Sequence, residues 1–118
     1  MDDGELLRRY AETGDEDAFS ALVDRHGSMV YAACRRILGD TVWAEDATQA
    51  VFLLFSKRCG KVQEEHVAGW LHRTATFIAR EFRRSERRRA RRERQAAQEV
   101  AERRKRIVLI RMFLRVCA

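Results

Sequence analysis

The sequence predicts an all-α protein with a three-helix core, an N-terminal helix and a long basic helical extension toward the C-terminus. Three observations predict it. The 118 residues contain no proline and only six glycines. They are rich in Ala, Leu, Arg and Glu, which lose little rotamer freedom in a helix. Apolar residues recur at three- and four-residue steps as far as Phe82 and then stop. One domain is the most this length supports, with a compact part of roughly 80 residues around a modest core.

The first predicted helix runs from about Asp3 to Glu12, with Leu6, Leu7 and Tyr10 on one side and Gly14 as its stop. Asp15 or Asp17 caps the second, which sets Phe19, Leu22, Val23, Val30, Ala33, Cys34 and Ile37 at helical intervals and ends near Gly39. Gly27 is its candidate kink. A third helix begins at Asp40 or Thr41, keeps Trp43, Ala47, Val51, Leu54 and Phe55 in one inward stripe, and closes at Cys59 and Gly60. Its opposite side carries Asp46, Gln49, Ala50, Leu53 and Lys57. A polar loop at Lys61 to His66 leads to a fourth helix from about Val67, with Val67, Leu71, Ala75, Ile78 and Phe82 as its core stripe.

Past Phe82 the chain becomes an Arg/Glu/Gln/Ala tract with nothing to bury, read as a solvated helical extension through Arg106. Residues Ile107 to Ala118 turn apolar in an uneven pattern that fits no element. The divisions expected are a helical domain at 1–84, a basic extension at 85–106 and an apolar tail at 107–118.

Charge is distributed unevenly. The net charge of +6 conceals a segment, Arg80 to Arg106, with 13 Lys/Arg against five Asp/Glu, while Met1 to Asp24 holds eight acidic residues against Arg8 and Arg9. A polyanion would choose the basic end. Cys34, Cys59 and Cys117 lack the paired spacing of a zinc site, which points to reduced thiols and a cytoplasmic setting. No apolar run approaches the roughly 20 residues that span a bilayer, so membrane insertion is not expected. No metal site, cofactor or catalytic constellation is expected either. His26, His66 and His72 have no Ser or Cys nucleophile beside them and read as surface residues, and no glycine-rich phosphate loop occurs.

Two surfaces invite partners. On the fourth helix Trp70, Arg73, Phe77, Arg80 and Arg84 follow i, i+3, i+7, i+10, i+14 spacing, a face on which bases could stack while guanidiniums neutralise phosphates. A core-widening role for Trp70 and Phe77 stands beside that reading. On the third helix Asp46, Gln49, Ala50 and Leu53 mix polar anchors with small and apolar residues, which suits either a partner helix or plain solvent.

Three stretches, DEDAFSALVDRHGSMVYAACRRILGD at Asp15 to Asp40, AEDATQAVFLLF at Ala44 to Phe55 and AGWLHRTATFIAREFRR at Ala68 to Arg84, resemble region 2 of the extracytoplasmic function (ECF) sigma factors. The D-x-x-Q-x-x-F frame at Asp46, Gln49 and Phe52 is the most specific of them. The resemblance covers roughly residues 5 to 95. It implies the sigma region 2 fold and a transcription initiation protein of bacterial RNA polymerase that is not an enzyme.

Asp46, Gln49, Ala50 and Leu53 would then meet the clamp helices of the polymerase β′ subunit. Lys61, Trp70, Arg73, Phe77, Arg80 and Arg84 would hold the non-template strand of the minus-ten promoter element. An anti-sigma factor is a further partner the family implies. The sequence departs from the family at Ala50, where an acidic residue is common, and at Thr76 and Phe77, where Arg, Asn or a similar polar residue is common. Region 4, which reads the minus-thirty-five element, has no counterpart here, so the expectation is a truncated or frameshifted member or a stand-alone region 2. Two alternatives stay open: a sequence-independent nucleic-acid binder working through the Arg tract, and a polymerase-binding module that does not initiate.

Overall fold

A computed structural model describes the backbone of residues 1–117 and the side chains of residues 1–114. Expectations about Ala118 and the Cys117 thiol lie outside the described residues. The chain divides into two compact units, Met1–Arg83 and Arg84–Ala118. The elements are α1 (Asp3–Thr13), α2 (Glu16–Leu38), α3 (Thr41–Arg58), 3-10 turns at Cys59–Lys61 and Glu64–His66, and α4 (Val67–Cys117).

In the first unit each of the first three helices starts on an aspartate whose carboxylate accepts from first-turn N–H groups. Asp2 Oδ1 takes the Glu5 N–H at 2.8 Å, Asp15 Oδ1 takes those of Asp17 and Ala18 at 3.0 and 3.4 Å, and Asp40 Oδ1 takes that of Trp43 at 3.0 Å. The caps are therefore Asp15 rather than Asp17 and Asp40 rather than Thr41. Gly14 and Gly39 end α1 and α2 at φ of 69° and 72°, a left-handed conformation that only glycine adopts without strain. Their N–H groups return to the carbonyls of Tyr10 and Arg35.

The core of this unit gathers Leu6 and Leu7 of α1, Leu22, Val30 and Cys34 of α2, Ala44, Ala47, Val51 and Phe55 of α3, and Val67, Leu71, Ala75 and Ala79 of α4. Small residues let α2 and α4 approach: Cys34 Sγ lies 3.9 Å from the Ala75 carbonyl. Burial pushes the Cys34 thiol up from its ordinary value, against a smaller opposing hydrogen bond with Thr48, so it stays protonated and behaves as a small apolar side chain. A row of rings crosses the four helices, Tyr10 to Phe19 at 4.7 Å, Phe19 to Phe55 at 6.1 Å and Phe55 to Trp70 at 5.5 Å between centroids.

Three sequence expectations need correction in this unit. Trp43, assigned to the inward stripe of α3, is 38% exposed. At about 100° per residue the true stripe centres on Ala44, Ala47, Val51 and Phe55, and Trp43 falls roughly a quarter turn outside it. His26, read as a surface residue, is buried, with Nε2 2.8 Å from Asp3 Oδ2. Arg25 donates from Nη1 to Asp3 Oδ1 at 2.8 Å and from Nη2 to the Met1 carbonyl at 2.9 Å, so α2 holds the start of α1. The segment at Lys61 to His66, read as a polar loop, is built from the two 3-10 turns around buried Val62.

In the second unit the described side chains are exposed except Glu86, which is half-buried. Helix persists there on propensity and on neighbouring charges one turn apart, such as Arg89 with Glu86 and Glu93 at 3.5 and 3.6 Å and Arg106 with Glu102 at 3.9 Å. Residues from Ile107 onward, expected to fit no element, continue the helix as far as Cys117.

Candidate protein-docking and nucleic-acid interfaces

The Asp40 cap fixes the register of α3 and therefore its outer face. With Ala44, Ala47, Val51, Phe52 and Phe55 buried, Asp46, Gln49, Leu53 and Lys57 are exposed and Ala50 is half-buried. Leu53 shows 59% of its surface to solvent. Phe52, the aromatic of the D-x-x-Q-x-x-F frame, is a core residue at 7% exposure, so it holds the face in place rather than forming it. Trp43 was missed as part of this face. It precedes Asp46, Ala50, Leu53 and Lys57 by three, seven, ten and fourteen positions, the spacing of one helical side. Tryptophan is among the residues enriched where protein interfaces concentrate their binding energy, so an exposed one on this face is a candidate anchor. The signal available in the sequence was that same spacing, which competed with an inward assignment.

Beside this face lies an open groove of about 480 Å³, walled by Tyr10, Phe19 and Val23 on one side and Gln49, Phe52 and Leu53 on the other. Two hydroxyls on its α3 wall are turned to the backbone: Thr48 Oγ1 donates to the Ala44 carbonyl at 2.7 Å and Ser56 Oγ to that of Leu53 at 2.6 Å. The wall is thereby left apolar, with the Gln49 amide at its rim. Phe19 and Val23, set at helical intervals by the sequence, are half-buried and shared between core and groove.

On α4 the core stripe of Val67, Leu71, Ala75 and Ala79 directs Arg73, Phe77 and Arg80 outward. Phe77 is 65% exposed, an unusual state for a phenylalanine, and it is flanked on the same helix face by Arg73 four residues before it and Arg80 three residues after. Arg73 leans back along the helix, its Nη1 3.6 Å from where a Cβ on Gly69 would stand. Trp70 differs from its predicted companions: its ring is half-buried against Phe55. It widens the core and, being only partly buried, still stands at the start of the face. Arg84 belongs to the second unit and is exposed there.

The turns between α3 and α4 are held from α1. Arg8 Nε and Nη2 donate to Glu64 Oε1 and Oε2 at 3.0 and 3.1 Å, and this pairing holds the Glu64 carboxyl below its ordinary range. Gly4 lets α1 come this close, since a Cβ there would stand 3.0 Å from Glu64 Cβ. Lys61 is exposed on the first of the two turns. Among the described residues no cluster of three or more His, Cys, Asp or Glu is placed to hold a metal ion.

The family model for Sigma-70 region 2 matches residues 22–89, a span that contains the outer face of α3, both turns and the Arg73 to Arg80 face of α4. The chain belongs to the sigma-70 region 2 family. This region 2 domain is 44% identical over 55 residues to the ECF RNA polymerase sigma factor SigK of Mycobacterium sp. (strain KMS), covering 47% of the chain and 28% of that relative. It is 32% identical over 71 residues to the ECF RNA polymerase sigma factor SigW of Bacillus subtilis (strain 168), covering 59% of the chain and 38% of that relative. The chain thus spans about a third of the length of the curated relatives it matches. No solved structure matches it significantly.

Proposed function

We propose that the region 2 domain is an RNA polymerase specificity module. In this reading the outer face of α3 docks on the β′ clamp helices, and the α4 face receives the unpaired minus-ten non-template strand. The observation that carries it is a division of labour on adjacent helices of one family domain. Asp46, Gln49, Ala50 and Leu53 form a mixed polar and apolar helix face suited to a partner helix. Arg73, Phe77 and Arg80 form a cationic face with an exposed ring suited to splayed bases. Lys61 extends the positive field onto the turn, and Trp70 anchors the face to the core.

Docking is electrostatic and apolar at once. Asp46→Arg reverses a charge on the face without touching the core, so it abolishes capture of polymerase core in a pull-down while the far-UV spectrum stays unchanged. Retained capture would remove α3 from the interface. For the strand, Phe77→Ala weakens binding of a single-stranded minus-ten oligonucleotide by about 1 to 3 kcal/mol in anisotropy titrations. Trp70→Ala weakens it by a similar amount but also loosens the core, so Phe77 is the cleaner probe. Run-off transcription with core polymerase separates an initiating domain from one that only occupies the clamp.

A second reading is supported by the basic tract: residues 84–106 hold eleven Lys/Arg against four Glu. It treats that tract as a sequence-independent polyanion binder. Deleting residues 84–106 then removes all nucleic-acid binding, whereas the first reading keeps polymerase capture and the strand preference. Binding through the tract also collapses with added salt, by counterion release.

A further inference from the structure

Four consecutive basic residues, Arg103 to Arg106, precede a stretch at Ile107 to Leu114 that is apolar except for Arg111. Both lie on α4. The large apolar side chains of this stretch are all exposed, from 46% at Ile107 to 67% at Phe113. At about 100° per residue, Arg104 and Arg111 share one narrow stripe, while Leu109, Ile110, Met112, Phe113 and Leu114 spread over most of the remaining circumference.

That surface asks for hydrocarbon and negative charge together. Ile107, Ile110 and Leu114 recur at three- and four-residue steps, but a coiled-coil seam along them would leave Leu109, Met112 and Phe113 in water. A second copy would also set one strongly basic segment against another, since residues 84–114 carry twelve Lys/Arg and four Glu. Nucleic acid would satisfy the arginines and leave the apolar block in water. A bilayer surface with anionic headgroups satisfies both: phosphates for Arg103 to Arg106 and the acyl boundary for Ile107 to Leu114.

We propose that the end of α4 adsorbs to anionic lipid membranes. It lies on the surface; among the described residues no helix is long and apolar enough to cross a membrane. Eight helical residues reach only about 12 Å along the axis, against a hydrocarbon core of about 30 Å. This inference does not rest on the polymerase reading, and the residues that carry it are separate from both faces in the first unit.

Flotation of the full chain with vesicles tests it, using phosphatidylcholine alone and phosphatidylcholine mixed with phosphatidylglycerol. The chain is expected to float with the mixed vesicles about tenfold or more better than with the neutral ones. Leu109→Glu with Phe113→Glu is expected to lower flotation on mixed vesicles by about tenfold or more, and R104Q/K105Q/R106Q to lower it and blunt its salt dependence. Equal flotation of the parent and the Leu109→Glu/Phe113→Glu chain overturns the proposal, because adhesion is then the arginines alone. So does failure of the parent to float. Light scattering of the lipid-free parent supplies a further refutation if it shows a dimer that the double substitution dissolves while lipid has no effect.

Discussion

The two units of this chain are both helical, yet only one has a reason to hold a tertiary structure. Between Met1 and Arg83, helices of 11, 23 and 18 residues and the first turns of α4 bury Leu22, Val30, Phe55 and Leu71 completely. Between residues 84 and 114 no described side chain is buried. Propensity and side-chain ion pairs a turn apart, at a few tenths of a kcal/mol each, sustain helix in the second unit, whereas burial at about 1.5 to 3 kcal/mol per large side chain fixes the first. Helix content therefore says little about where stability resides.

Substitutions in the two units sharpen that contrast. Phe55→Ala removes the ring that joins Phe19 to Trp70 and is expected to cost about 3 to 5 kcal/mol in urea unfolding followed by circular dichroism. A loss under 1 kcal/mol would mean the core is not organised around it. On α2 two glycines are predicted to respond with opposite signs. Gly39→Ala forces a left-handed conformation on alanine and costs about 1 to 2 kcal/mol. Gly27→Ala, in mid-helix with open space around its would-be Cβ, gains about 0.5 to 1 kcal/mol. Thermal unfolding of the pair reads both, and equal signs would place one of the two outside the described conformation.

Asp3 gives a smaller, pH-dependent effect. Its partial burial works to raise its pKa, but hydrogen bonds from Arg25 and His26 and their charges outweigh that and hold it below the ordinary carboxylate value. The folded pKa is thus lower than the unfolded one, so its contribution is complete above about pH 4 and is lost as pH falls through the folded value. With about 25% of the side chain still open to solvent and the Arg25 partner more exposed, screening keeps the contribution to about 1 kcal/mol. Asp3→Asn should flatten the acid limb of a stability-versus-pH curve; an unchanged limb would dismiss the cluster. Smallest of all, Leu109→Ala in the second unit should move the unfolding midpoint by no more than about 0.5 kcal/mol equivalent. A core-sized loss there would break the contrast altogether.

Much of this was legible in the sequence, for reasons that differ by element. Helix limits were marked by Asp and Gly residues with specific backbone roles, and the capping geometry only chose between neighbours such as Asp15 and Asp17. The outer positions Asp46, Gln49 and Leu53 followed from helical spacing alone. Trp43 did not, because a large apolar residue one position from Ala44 looks inward until the alanines are seen to define the stripe. His26 and Asp3 stand 23 residues apart, and no local pattern announces that they meet. The turns at Cys59–Lys61 and Glu64–His66 likewise depend on a distant partner, Arg8 on α1, for their support.

The two tryptophans described above stand in different surroundings, one open on α3 and one leaning on Phe55. Nature has in effect labelled each surface with its own fluorophore. Replacing either indole with phenylalanine leaves a single tryptophan emitter, so that a change in the surroundings of α3 and one in those of α4 become two separately readable optical signals from an otherwise unmodified chain.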